Sequence, residues 1–117
     1  MGNSRNVENF PNLFNIPDHA PEEVVNVFVK TQNVKIERIV SYGQITPKKT
    51  PYVQDQNELV FVIQGSATLK IETEIISLKA GNSVLIPKGC KHWVTSTSSK
   101  PPVIWLCIHY SKAVDQE

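Results

Sequence analysis

Cysteine is scarce in this chain, and its scarcity narrows the possibilities. Cys90 and Cys107 are the only two in 117 residues, too few for a disulfide-stapled scaffold. A chain of this size buries roughly two-thirds of its unfolded surface on folding, so one hydrophobic core suffices. Long apolar runs are missing as well. None approaches the ~20 residues a membrane-crossing helix requires. The opening MGNSRNVENF has neither the basic start nor the apolar centre of a secretory leader. The expectation is a cytoplasmic protein with no membrane partner. Charge of one sign is equally lacking: 12 Lys and Arg face 11 Asp and Glu, a net charge of +1, with no basic stripe. Nucleic acid is therefore not an expected partner. No G-x-S-x-G elbow, phosphate loop or dinucleotide fingerprint occurs, and Ser41, Ser66, Ser77 and Ser83 occupy ordinary strand or turn positions. Covalent catalysis and redox chemistry on a bound nucleotide have no support.

What the chain does contain is a succession of short extended runs. Residues 1–20 carry Pro11, Pro17 and scattered apolar anchors, among them Phe10, Leu13, Phe14 and Ile16, and predict an irregular arm packed on a single domain spanning 21–117. VVNVFVK is β-branched and aromatic and predicts a strand despite the helix-start look of Pro21-Glu22-Glu23. In NVKIERIVSY, Val34, Ile36, Arg38 and Val40 alternate with Lys35, Glu37 and Ile39, a second strand. After the loop TPKKTPYVQDQN come ELVFVIQ, ATLKIE, EIISL, SVLIP, CKHWVTST and VIWLCIHY, each pair separated by turn residues. That spacing predicts an all-β antiparallel sandwich or small barrel.

The turns carry a second pattern. Six residues separate Glu58 from Gly65, and Gly81, five residues, Pro87, Lys88, Gly89, two residues and His92 follow after an interval of 15. In this order the two stretches resemble the paired signatures of the cupin family, and the resemblance extends over about residues 34–110. It implies an antiparallel double-stranded β-barrel of jelly-roll type. In ELVFVIQ, Glu58, Val60 and Val62 share one side of the strand. Glu58 is then a carboxylate at the mouth of an apolar strand, where it needs donors or a cation around it.

Metal-binding cupins also carry two histidines shortly before that glutamate. Here those positions fall on Tyr52 and Gln54, or one residue earlier on Pro51 and Val53, and neither register offers an imidazole. The same residues, together with the closing IWLCIHY, resemble those of small single-domain cupins without an assigned activity. Two readings of the pocket stay open. In one, Gln54, Glu58 and His92 hold a divalent transition metal such as Zn²⁺, Mn²⁺, Fe²⁺ or Ni²⁺, a weaker set than three histidines. In the other, Tyr52, Gln54, Glu58 and His92 bond one another and line a metal-free pocket.

Among the remaining candidates, Cys90 stands two residues before His92 and reads mainly as a small hydrophobe beside a turn. Cys107 reads as core, and His109 as a structural hydrogen-bonder at a strand end. Trp93 and Trp105 read as packing residues, His19 has no assigned role, and Lys48-Lys49 is an exposed loop. The sequence thus predicts a protein that binds a small polar molecule in the barrel. A metal-dependent isomerase or dioxygenase using Glu58 and His92 is one alternative, and a structural dimerisation module the other. The apolar VVNVFVK and the outward side of LVFVIQ predict a homodimer.

Overall fold

The computed structural model describes residues 6–111. The first five residues of the expected arm and the last six of the expected domain lie outside that range. Eight strands follow one another, with no helix among the described residues: β1 (Val24–Lys30), β2 (Val34–Ser41), β3 (Asn57–Gln64), β4 (Ser66–Ile71), β5 (Glu74–Lys79), β6 (Ser83–Ile86), β7 (His92–Thr97) and β8 (Val103–Tyr110). They form a five-stranded sheet in the order β1-β2-β8-β3-β6 and a three-stranded sheet in the order β5-β4-β7. Every pairing is antiparallel. The two sheets face each other without closing into a continuous barrel.

Alternation along the strands builds the core. In β3, Val60 and Val62 are buried while Leu59, Phe61 and Ile63 on the other side are half-buried. In β4, Ala67, Leu69 and Ile71 point the same way from the opposing sheet. Ile86, Val103, Trp105 and Cys107 complete the filling between the layers. The β3–β4 corner depends on Gly65, whose φ is +86°. An added Cβ there would lie 2.8 Å from Ser98 Oγ and 3.0 Å from the Pro102 carbonyl, so only glycine fits.

Alternation in β2 does not by itself say which side faces inward. The structure turns Lys35, Glu37 and Ile39 toward the space between the sheets. Arg38 points the other way and is nevertheless buried, because the N-terminal segment covers it. Its guanidinium donates to the carbonyls of Asn12, Leu13 and Asn15 at 3.3, 3.0 and 3.2 Å and to Asn26 Oδ1 at 2.6 Å. The Tyr42 hydroxyl donates to the Pro17 carbonyl at 2.7 Å, and Phe10 packs on Phe28 with ring centroids 5.0 Å apart.

Candidate functional site

At one end of the layered core a cavity of about 260 Å³ opens between the sheets. Its apolar wall includes Ile39, Val60, Leu69, Ile86, Val94 and Trp105, and its polar wall brings together Tyr52, Gln54, Glu58 and His92. All four site residues expected from the sequence thus face one space.

Each arrives there for a local reason. Glu58 is the second residue of β3, paired with Ile86 of β6 on one side and His109 of β8 on the other. His92 opens β7 just past the Lys88-Gly89 turn. The preceding loop is brought alongside by backbone bonds: Tyr52 N–H donates to the His92 carbonyl at 2.9 Å and His92 N–H to the Tyr52 carbonyl at 3.0 Å. The two rings stack with centroids 5.4 Å apart. Gly89 N–H then holds the Gln54 carbonyl at 2.7 Å, which fixes Gln54 over the cavity.

The Gln54 side chain joins the other polar groups. Its amide nitrogen donates to Glu58 Oε1 at 2.8 Å and lies 3.4 Å from His92 Nε2. His92 Nδ1 is 3.3 Å from the Cys90 carbonyl. That acceptor assigns the ring proton to Nδ1 and leaves a lone pair on Nε2 to meet the amide. Turning the amide over would bring its oxygen against the Glu58 carboxylate, so the network selects the orientation. Cys90 itself is half-buried against the core and meets His92 through its carbonyl.

Four further residues enlarge the polar wall beyond what the sequence suggested. His109 lines the cavity and also makes the hydrogen bond expected of it, with Nε2 2.9 Å from Glu37 Oε2 and 3.8 Å from Glu58 Oε2. Glu37 and Lys35 face the same space, their charged groups 3.7 Å apart, and Glu23 reaches it from the segment before β1. Glu37, Glu58, His92 and His109 are only 6, 7, 5 and 5 % exposed. Glu37 and Lys35 were visible only as the charged half of an alternating strand. Their relation to His109 follows from the β2–β8 pairing, which sets Lys35 opposite His109 and Glu37 opposite Cys107.

Burial and charge act in opposite directions on Glu37 and in the same direction on Cys107. The hydrogen bond from His109, outweighing burial, holds the Glu37 carboxyl below its ordinary range, with Lys35 assisting. Burial pushes the Cys107 thiol well above its usual value, and the Glu58 and Glu37 carboxylates add to the effect. A thiol so placed stays protonated and is no nucleophile. Burial also raises the Tyr52 phenol.

These residues do not suit the transition metal that the resemblance suggested. A cation between Glu58 and His92 needs lone pairs directed at it, and Gln54 instead directs an N–H donor into that space. The amide already satisfies both neighbours, and no buried polar side-chain atom lacks a partner among the described residues. Nor do His, Cys, Asp and Glu side chains among them gather in threes with metal-binding geometry.

Comparison with known proteins agrees with this architecture. A family model described as Cupin domain matches residues 40–109. A crystal structure from Ralstonia eutropha JMP134, of a provisionally assigned mannose-6-phosphate isomerase, superposes with a TM-score of 0.84 at 33 % identity. That match covers 90 % of this chain and 100 % of the other. A cupin superfamily protein from Desulfitobacterium hafniense DCB-2 gives 0.73 at 14 % identity, over 90 % of this chain and 92 % of its own. An RmlC-like cupin from Shewanella frigidimarina NCIMB 400 gives 0.67 at 13 % identity, over 82 % of both chains. No curated protein matches. The fold, the paired glycine-bearing turns and the extent of these matches together place the chain in the cupin superfamily.

Proposed function

We propose that this cupin binds a small uncharged polar molecule in the cavity between its sheets and does so without a metal. The observation that carries the reading is the Gln54 amide, which bridges Glu58 and His92 where a metal cupin places its ion. The cavity's volume, about 260 Å³, lies just under the ~300 Å³ lower end of ordinary ligand pockets and suits a small occupant. An apolar wall facing a few convergent polar groups supports this reading, since ligand pockets commonly have that layout.

Charge favours an uncharged occupant. The Ralstonia relative's assignment names a phosphate ester, and a phosphate must be met by cationic donors. Lys35 is the one ammonium among the described lining residues, and it shares the wall with Glu23, Glu37 and Glu58. A dianion would enter against three carboxylates.

Ligand-observed NMR on protein stripped with a chelator tests this. Mannose, glycerol and dihydroxyacetone are expected to show saturable contacts that Glu58→Gln weakens, and mannose 6-phosphate weaker ones. Absence of contact with all the uncharged probes, or tight contact appearing only after a divalent metal is restored, overturns the reading.

A further inference from the structure

One edge of the three-stranded sheet has no neighbour among the described residues. In the order β5-β4-β7, the β7 edge is covered by the loop before β3, where Thr46 N–H donates to the Val94 carbonyl at 2.8 Å and Tyr52 exchanges two backbone bonds with His92. The β5 edge is different: it pairs with β4 alone. Its Lys79 N–H bonds Asn82 Oδ1 at 2.9 Å instead of β4. Amide direction alternates along a strand, so the N–H groups of Ile75 and Ser77 share that direction and face away from β4.

The side chains on this edge point to one kind of partner. Ile76 and Leu78 pack inward against the core, which turns Ile75, Ser77 and Lys79 to the outer face of the sheet. Ile75 is 69 % exposed. The register sets Lys70 of β4 beside Ile75, its ammonium held 5.1 Å from the centre of the Trp93 ring on β7. Neither Lys70 nor Lys79 is paired with a carboxylate among the described residues. Glu72, in the β4–β5 turn, directs its carboxylate to the Lys91 N–H at 2.9 Å. An edge lysine repels a basic strand and admits an acidic one, so it selects a partner as well as guarding the edge. An isoleucine left in water beside it guards nothing.

We propose that the β5 edge, at Ile75, Ser77 and Lys79, is a docking site for an extended acidic segment of another protein, which adds to the three-stranded sheet as a fourth strand. In this mode backbone pairing supplies affinity and alternate side chains supply selectivity. Outward residues of the added strand recur at every second position and lie about 5 Å from their β5 partners. The preferred segment therefore carries an aspartate or glutamate opposite Lys79 and an apolar residue opposite Ile75, four positions apart. A nucleic acid would match the lysines and leave Ile75 and the edge amides unused. A second copy of β5 would match the amides but bring no carboxylate to this face, because Glu74 alternates to the other side with Ile76 and Leu78.

Fluorescence anisotropy tests this with a labelled nine-residue peptide of threonine that has valine at its centre and glutamate at both ends, a pattern that reads alike in either strand direction. Saturable binding is expected, about fivefold weaker when lysine replaces both glutamates. Lys79→Glu should weaken the acidic peptide by about the same factor and strengthen the basic one. Ser77→Pro removes one outward N–H without touching the β4 ladder and should weaken binding about tenfold, the weight of a ladder hydrogen bond. Circular dichroism and melting check that each variant is folded. Should Ser77→Pro not fold, slowed hydrogen exchange at the Ile75 and Ser77 amides of the wild-type complex supports the pairing, and unchanged exchange there overturns it. No saturable binding of the acidic peptide overturns the proposal. Binding that survives in folded Ser77→Pro and falls only with added salt marks a surface that attracts any anion, and overturns the strand pairing. A mass that doubles in wild type but not in folded Ser77→Pro assigns the edge to a second copy and overturns it too.

Discussion

The amide nitrogen of Gln54 sits 2.8 Å from Glu58 Oε1 and 3.4 Å from His92 Nε2, a donor in the position where a metal cupin needs an acceptor. Replacing that donor with a ligand should therefore create a site. Calorimetric titration of Zn²⁺ into the chelator-treated wild type is expected to give no saturable heat. Gln54→His, which supplies an imidazole beside Glu58 and His92, should bind Zn²⁺ at least tenfold more tightly than wild type. Tight, saturable wild-type binding would show that the amide yields to the ion and would restore the metal reading.

The glycine, proline and histidine spacing announced the turns and strand ends, because each demands a backbone geometry that few residues supply. Gly65 is the clearest case, with a positive φ and no room for a Cβ. Tyr52, Gln54, Glu58 and His92 were therefore legible as one group. Glu37 was not. Its place beside His109 comes from pairing between strands about 70 residues apart in sequence, β2 and β8, and a strand's own alternation carries no information about its neighbour. Arg38 was hidden for a similar reason. The carbonyls that surround it belong to the irregular N-terminal segment, whose path no periodicity encodes.

Glu37 should also leave a signature in stability. Its carboxyl lies below the ordinary value of 4.5 because it accepts the His109 bond, so the folded state favours the ionised form. A depressed folded pKa adds stability above the unfolded value and loses it as pH falls through the folded one. Glu37→Gln is thus expected to cost about 2 kcal/mol near pH 7, the scale of a hydrogen bond to a charged group. The gap between wild type and variant should narrow below about pH 4.5. Urea unfolding of both proteins from pH 3 to pH 7 measures it, and a gap independent of pH would contradict the carboxylate's role.

Arg38 joins the N-terminal segment to the outer face of the sheet. Arg38→Ala would leave the half-buried side chain of Asn26 and three carbonyls without their donor, at a cost of roughly 2–3 kcal/mol. The loss should be local before it is global. Hydrogen exchange is expected to accelerate at the amides of residues 10–17 while β3 and β8 stay protected. Uniform acceleration across the chain would mean that the segment is integral to the core.

Apolar area on the outer side of the five-stranded sheet argues for a second copy of the chain. Opposite the cavity, Leu59, Phe61 and Ile63 of β3 remain half-buried, and on the neighbouring edge strand Leu85 is 49 % exposed. The register pairs Leu59 with Leu85 on one side and with Ile108 on the other, so the patch is continuous across β6, β3 and β8. On β1, the other edge strand, Val25 and Val27 are about half exposed, and an uncapped edge offers its free backbone groups for pairing. Contiguous apolar surface of this kind on a protein in water marks an interface. Light scattering at micromolar concentration should give twice the 13.1 kDa chain mass. Leu85→Lys places a charge inside the β3-side patch and Val27→Lys one on the β1 edge. If the patch is the contact, the first variant halves the mass and the second leaves it unchanged; the reverse assigns pairing to β1. A wild type that stays at the single-chain mass would mean that neither surface associates.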